Sequence, residues 1–143
     1  MPAIGVARPT RVGDVVQFET YSEYGYCRKI IRAITPAVDY TIGQVVKPDG
    51  AAWTTGTAFG GIFLGTWDGK NVAVAGTAVD IVVLYRGVSG VGNGYLKPAA
   101  SDAVFVEMSG LIDAAGIKIL EQPVNARNTI VPNAVGVEIP TTV

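Results

Sequence analysis

The residues that move protons, hold metals or attack carbonyls are scarce in this 143-residue chain. It has no histidine, so the commonest general base and metal ligand is missing. Its single cysteine, Cys27, has no histidine partner for a Cys-His dyad. One cysteine also falls short of the usual zinc ligand sets. Nor can Cys27 form an internal disulfide, which fits assembly in a reducing cytoplasm. The twelve carboxylates are dispersed, and no two stand in a D-x-D or E-x-x-E spacing. Acids distant in sequence can still meet in space, as a glycoside hydrolase requires. A hydrolase therefore stands third among the functional readings.

Two glycine-rich stretches imitate known motifs. Gly90-Val91-Gly92-Asn93-Gly94 looks like a phosphate-cradling loop, but such a loop must open a helix whose free N–H groups meet the anion. Tyr95-Leu96-Lys97-Pro98 follows instead, and the stretch reads as a flexible β-turn. Gly87-Val88-Ser89-Gly90 lacks the spacing of a G-x-S-x-G elbow, and no histidine exists to activate Ser89. Trp53, Phe59, Phe63 and Trp67 have the faces to stack on a sugar or base. Their neighbours are small and apolar, so packing in a core or a subunit interface is expected of them.

The elements that would carry these residues are mostly short strands separated by turn residues. Residues 26–34 read as a strand, ended by Thr35-Pro36 and Asp39. Residues 41–46 read as the next, stopped by Lys47-Pro48-Asp49-Gly50. Gly60-Gly61-Ile62-Phe63-Leu64-Gly65 is apolar throughout and should be central. Asp68-Gly69 fits a tight turn from which residues 71–75 would return. Residues 79–85 hold Ile81-Val82-Val83-Leu84, the strongest buried-strand signal. One helix is expected over about 102–115: Pro98 lies ahead of it, Ser101 or Asp102 can cap it, and Val104, Met108, Leu111, Ile112 and Ala115 share a face. Gly116 stands where a left-handed cap belongs, and Ile117-Lys118-Ile119-Leu120 follows as a closing strand. No internal repeat interrupts this order.

Composition narrows the partners. Charged residues make up 16% of the chain against about 25% in ordinary globular proteins, while 49% is hydrophobic. Either a well-buried β core or an exterior covered by partners accounts for that shortage. Net charge is −1, and of the eleven basic residues only Arg28, Lys29 and Arg32 lie close together. A nucleic-acid partner held by a basic patch is therefore not expected. No apolar run reaches the roughly 18 residues of a membrane span. The opening Met-Pro-Ala-Ile-Gly lacks the blocks of a signal peptide.

The order of the segments resembles the lambda-like bacteriophage head decoration (capsid cement) protein family. Tyr21-Ser22-Glu23-Tyr24-Gly25-Tyr26-Cys27-Arg28-Lys29-Ile30-Ile31 is similar to that family's opening Leu-Ser-Glu, Gly-Tyr and charged pair entering a strand. Ile42-Gly43-Gln44-Val45-Val46 resembles its next glycine and strand. Gly61-Ile62-Phe63-Leu64 resembles its Gly-Ile-Leu-Leu strand, and Ile81-Val82-Val83-Leu84-Tyr85-Arg86-Gly87 its Val-Val-Leu-Val-Arg-Gly segment. Leu111-Ile112-Asp113-Ala114-Ala115-Gly116-Ile117-Lys118-Ile119 is similar to its terminal helix and strand. The likeness covers residues 21–120 in order. The chain departs from the pattern at Asn71-Val72-Ala73-Val74 and in running on past the closing strand.

The resemblance implies a β-clip-like fold, mostly strand with one short α-helix, and no catalytic residue, cofactor or metal. It implies homotrimers on the outer surface of a virion head, bound to the major capsid protein. In that family an N-terminal arm adds a strand to the capsid protein. Here the arm would be residues 1–20, the domain residues 21–120, and residues 121–143 an extended tail with Pro123, Pro132 and Pro140. Val12, Val15, Val16 and Phe18 are the candidate capsid-binding side chains. Val16 and Phe18 alternate with Gln17 and Glu19 as in a half-buried strand. That strand could also belong to the domain's own sheet; the residues alone leave both placements open and slightly favour the sheet. The alternative function is a virion-surface carbohydrate- or receptor-binding module, with Trp53, Trp67 and the tyrosines as its platform.

Overall fold

A computed structural model describes residues 10–20, 25–93, 95–98 and 102–120. The fold is mostly β, with a curled half-barrel sheet and one short helix near the C-terminal end of the domain, as the sequence predicts. The expected tail, residues 121–143, lies outside the described residues, as do residues 1–9 and the Tyr21–Tyr24 part of the family-like opening.

The main sheet holds β2 (Arg28–Ile34), β7 (Val79–Leu84), β5 (Gly61–Thr66) and β4 (Val45–Val46) in that spatial order, every pair antiparallel. Its two central strands are the two apolar runs. Every residue of β5 is buried, and β7 alternates enough to bury Ile81, Val83 and Leu84. Burial on both faces explains why these strands read as continuous hydrophobic runs. Edge strand β2 ends in a bulge, where Ala33 takes φ 57° and its N–H donates to the Asp80 carboxylate at 2.9 Å. The bulge interrupts regular pairing with β7 beyond Ile31.

The strand expected over residues 41–46 is two short ones. Gly43, at φ 108°, separates β3 (Tyr40–Thr41) from β4. A Cβ there would lie 2.3 Å from the Tyr95 carbonyl oxygen, so close approach of the backbone at Tyr95 excludes any larger residue. β3 pairs with β6 (Val72–Ala73), so the chain returning from the Asp68-Gly69 turn joins β3 rather than β5. Tyr40 is buried beneath this pair, edge-on to Phe63 at 5.8 Å, and its hydroxyl donates to the Gly50 carbonyl at 2.9 Å. Burial, aided by Asp49, pushes its phenol above the ordinary tyrosine range.

The second sheet contains the largest departure from expectation. β8 (Ser89–Gly92) occupies its centre, between β1 (Val16–Glu19), antiparallel, and β9 (Ile117–Leu120), parallel. Residues 90–92 of the Gly90–Gly94 stretch expected to be a flexible β-turn thus belong to a buried strand at 89–92. Its glycines disguise it, and they are there for space: a Cβ on Gly90 would fall 2.3 Å from the Phe18 ring. Between β8 and β9 runs α2 (Asp102–Ala114), the expected helix, making a strand–helix–strand crossover of the kind parallel strands need. Met108 and Ile112 are fully buried, while Val104, Leu111 and Ala115 pack at the margin of the core. Gly116, at φ 88°, ends the helix. The Glu107 carboxylate ties α2 to the 54–57 loop by accepting the Gly56 N–H at 2.6 Å.

Residues 12–19 are part of this fold: of the two placements open to the Val16–Glu19 strand, the structure shows the one in the domain's own sheet, and for these residues the arm reading is corrected. α1 (Val12–Val15) is a single turn whose Val15 is fully buried, and β1 pairs with β8 through Val16–Val91, Phe18–Gly90 and Glu19–Ser89. The boundary drawn between residues 20 and 21 therefore falls inside the packed unit. The reason is that β8, hidden by its glycines, offers these residues a strand within their own chain.

Gly90→Ala is expected to lower the melting temperature by several degrees, because an extra methyl in a filled position costs about 1–3 kcal/mol. The same change in a Phe18→Ala background should cost little, since the ring that fills the space is gone. Thermal denaturation of the four chains checks this; equal losses in both backgrounds would place the clash elsewhere.

Candidate functional site

The four residues expected to bind a partner are divided by the fold. Val15 is in the core, and Val12 and Val16 pack against it. Phe18 alone is turned outward, 46% exposed. The correction follows from a register irregularity between Val16 and Phe18, with Gln17 unpaired. An extra residue in one strand reverses which side chains face the core beyond it. Simple alternation would have put Phe18 inside and Glu19 outside; the bulge does the opposite.

Glu19 is accommodated because Arg28 meets it. The Arg28 Nε donates to Glu19 Oε2 at 2.7 Å, and Nη2 donates to the other carboxylate oxygen, a two-pronged pair. The Glu19 side chain is only 4% exposed and that of Arg28 31%. The carboxylate holds the Arg28 guanidinium above its ordinary value, through the hydrogen bond first and the charge second, against the cost of burial. The pair joins β1 to β2, hence one sheet to the other. Beside it the buried Cys27 thiol lies 3.4 Å from the Thr20 carbonyl oxygen.

Turning Phe18 outward creates a surface. On β8, Ser89 and Val91 are fully buried, so Gly90 between them faces the other way, under the Phe18 ring. Lys118 of β9 stands opposite Gly90 in register and is exposed. Val88, 63% exposed, lies beside Thr20, whose N–H donates to the Val88 carbonyl at 2.9 Å. Phe18 and Val88 are thus apolar side chains on the outer face of the second sheet. β1 forms one edge of that sheet, with no strand paired outside it among the described residues. Such an edge can accept a further strand. Sequence reasoning found Phe18 but missed Val88, whose glycine neighbours hid the strand.

The aromatic residues separate as well. Trp53 is 2% exposed, with its indole N–H donated to the Thr57 carbonyl at 2.9 Å, and Phe63 is fully buried. Packing is their role, and Trp53 is unavailable as a binding platform. Trp67 is 63% exposed at the end of β5. Next to it, Thr66, Asp68 and Lys70 line an open depression of about 140 Å³ that reaches Val72 and Val79. The Thr66 hydroxyl bonds the Asp68 carboxylate and, with Lys70 at 3.8 Å, holds it below the usual carboxylate range.

Among the described residues no three His, Cys, Asp or Glu side chains gather as metal ligands. No described helix is long and apolar enough to cross a membrane. The chain matches no family model, no curated protein and no solved structure.

Proposed function

We propose that this is a structural protein that binds the outer surface of a tailed-phage head and stabilises the expanded shell, a capsid decoration or cement protein without catalytic activity. Its partner is the major capsid protein, and it acts as a homotrimer. The observation that carries the reading is the outward face of the second sheet, where Phe18 and Val88 stand exposed beside the edge of β1. The ordered likeness of residues 21–120 to the decoration family supports it. Apolar side chains beside a strand edge suit a lattice contact, in which backbone hydrogen bonds and a buried ring act together. Each contact can be weak, because several joined contacts raise avidity about 10²–10⁴-fold.

Co-sedimentation with expanded heads that lack decoration protein tests this. The intact chain should pellet with the heads. Phe18→Ser should weaken binding by roughly tenfold or more, as loss of a buried aromatic contact does at an interface. Because Phe18 is half out in solvent, the melting temperature should change by only a few degrees. Failure of the intact chain to pellet, or full binding by Phe18→Ser, overturns the proposal in its present form.

The exposed Trp67 beside the Asp68–Lys70 depression favours a second reading, a carbohydrate- or receptor-binding module. A glycan array with signal lost on Trp67→Ala would select it over the first.

A further inference from the structure

The cationic side chains on the β2–β7 pair and just beyond it are of two kinds. Arg28 is met by Glu19, and Arg32 by Asp80 at 3.2 Å. Arg86 and Lys29 rest instead on aromatic rings. The Arg86 guanidinium carbon lies 4.2 Å from the Tyr26 ring centroid and 5.1 Å from that of Tyr85. Lys29 Nζ lies 4.7 Å from the Tyr85 centroid. The Arg86 Nε donates to the Tyr26 carbonyl at 2.8 Å, which fixes the plane of the guanidinium. Ring and cation therefore alternate along the surface as Tyr26, Arg86, Tyr85, Lys29. Among the described residues no carboxylate pairs with Arg86 or Lys29.

We infer that this ladder is a receptor for the carboxylate side chains of an acidic segment on a partner protein. A guanidinium has five donors, and the Nε bond uses one. The outer two nitrogens form the fork that takes a carboxylate bidentately. Stacking between two rings and the Nε bond already restrict the Arg86 side chain, so binding loses less rotamer freedom than an unsupported arginine would. Lys29, whose Nζ also lies over the Tyr85 ring, supplies a second charge for a second acid. Tyrosine and arginine are also the residue types that concentrate binding energy at interfaces. Two cations on a chain of net charge −1 do not form the extended basic surface a nucleic acid needs, so the carboxylates are those of a protein.

The inference goes beyond the shell reading and does not depend on it, since its test uses peptides and no heads. The full chain, labelled at arginine and lysine, is titrated by NMR with blocked tetraglutamate, blocked tetralysine and a thymidine octanucleotide. Tetraglutamate should move the Arg86 Nε–Hε and Lys29 signals saturably, and tetralysine should not. Arg86→Gln should weaken the response roughly tenfold, as loss of a charge-assisted fork does, with an otherwise unchanged spectrum showing the fold intact. Arg86→Lys should recover only part of it, because an ammonium keeps the charge but not the fork. Arg86 signals unmoved at millimolar tetraglutamate would overturn the inference. Tighter binding of the octanucleotide than of the peptide would overturn it too, in favour of a phosphate ligand.

Discussion

Deleting residues 2–19 is expected to lower the melting temperature by roughly 10 °C or more, although this segment looks like a detachable arm. Three losses combine. Burying a side chain such as Val15 contributes about 1.5–3 kcal/mol. The β1–β8 hydrogen bonds disappear, and each is worth about 1 kcal/mol net. Arg28 keeps its charge but loses its carboxylate. For a domain of this size each kcal/mol shifts the midpoint by about 2–4 °C. Differential scanning calorimetry of the truncated and intact chains measures the drop. An unchanged midpoint would show that β1 adds nothing to the domain's stability. The result also bears on the shell proposal: lost head binding by this truncation would have two explanations, which is why the Phe18 substitution is the cleaner test of the surface.

Arg28→Ala is expected to cost about 3 kcal/mol, the lower end of the range for breaking a buried ion pair. The lower end applies because part of the guanidinium reaches solvent while the Glu19 carboxylate does not. What is lost is mainly the solvation that Arg28 provides for a carboxylate that the fold has turned inward. Removing both charges should therefore be far milder than removing one. Glu19→Leu with Arg28→Met should return most of the stability, since a pair of apolar side chains of similar volume needs no compensation. Chemical denaturation of wild type, Glu19→Leu, Arg28→Met and the double variant gives the coupling energy directly. A double variant as unstable as Arg28→Ala would show that shape, not charge, is what the pair contributes.

How much of this was legible in the sequence depended on what each residue had to say locally. The β5 and β7 runs and the α2 stripe announced themselves because their side chains do the packing, and packing follows the period of the element. The centre of the second sheet did not, because β8 packs through its backbone. Gly90 contributes space to Phe18 and no hydrophobic signal of its own, so the Gly90–Gly94 stretch reads as a turn. That one omission displaced β1 as well. With no visible strand to pair with, the placement of residues 12–19 stays open between arm and sheet, and Val15 and Phe18 look equivalent. The α1 turn carries Val15 into the core, and the irregularity at Gln17 turns Phe18 to solvent. A bulge is set by the partner strand as much as by its own residues, which is why alternation alone misplaced Phe18 and Glu19. The ladder at Arg86 was hidden for another reason: its rings and cations are 60 positions apart at the widest and meet only through the β2–β7 register.

The order β1-β8-β9 also fixes where the first and last strands of the chain lie relative to one another. Val16, where β1 begins, and Ile119, near the end of β9, both lie alongside Val91, on either side of β8. Two strand spacings separate them, about 10 Å. The start of β1 and the end of β9 are thus neighbours at one end of one sheet, with only that gap between them. A chain joined across that gap and opened at the exposed Asp68-Gly69 turn would keep every strand pair described above.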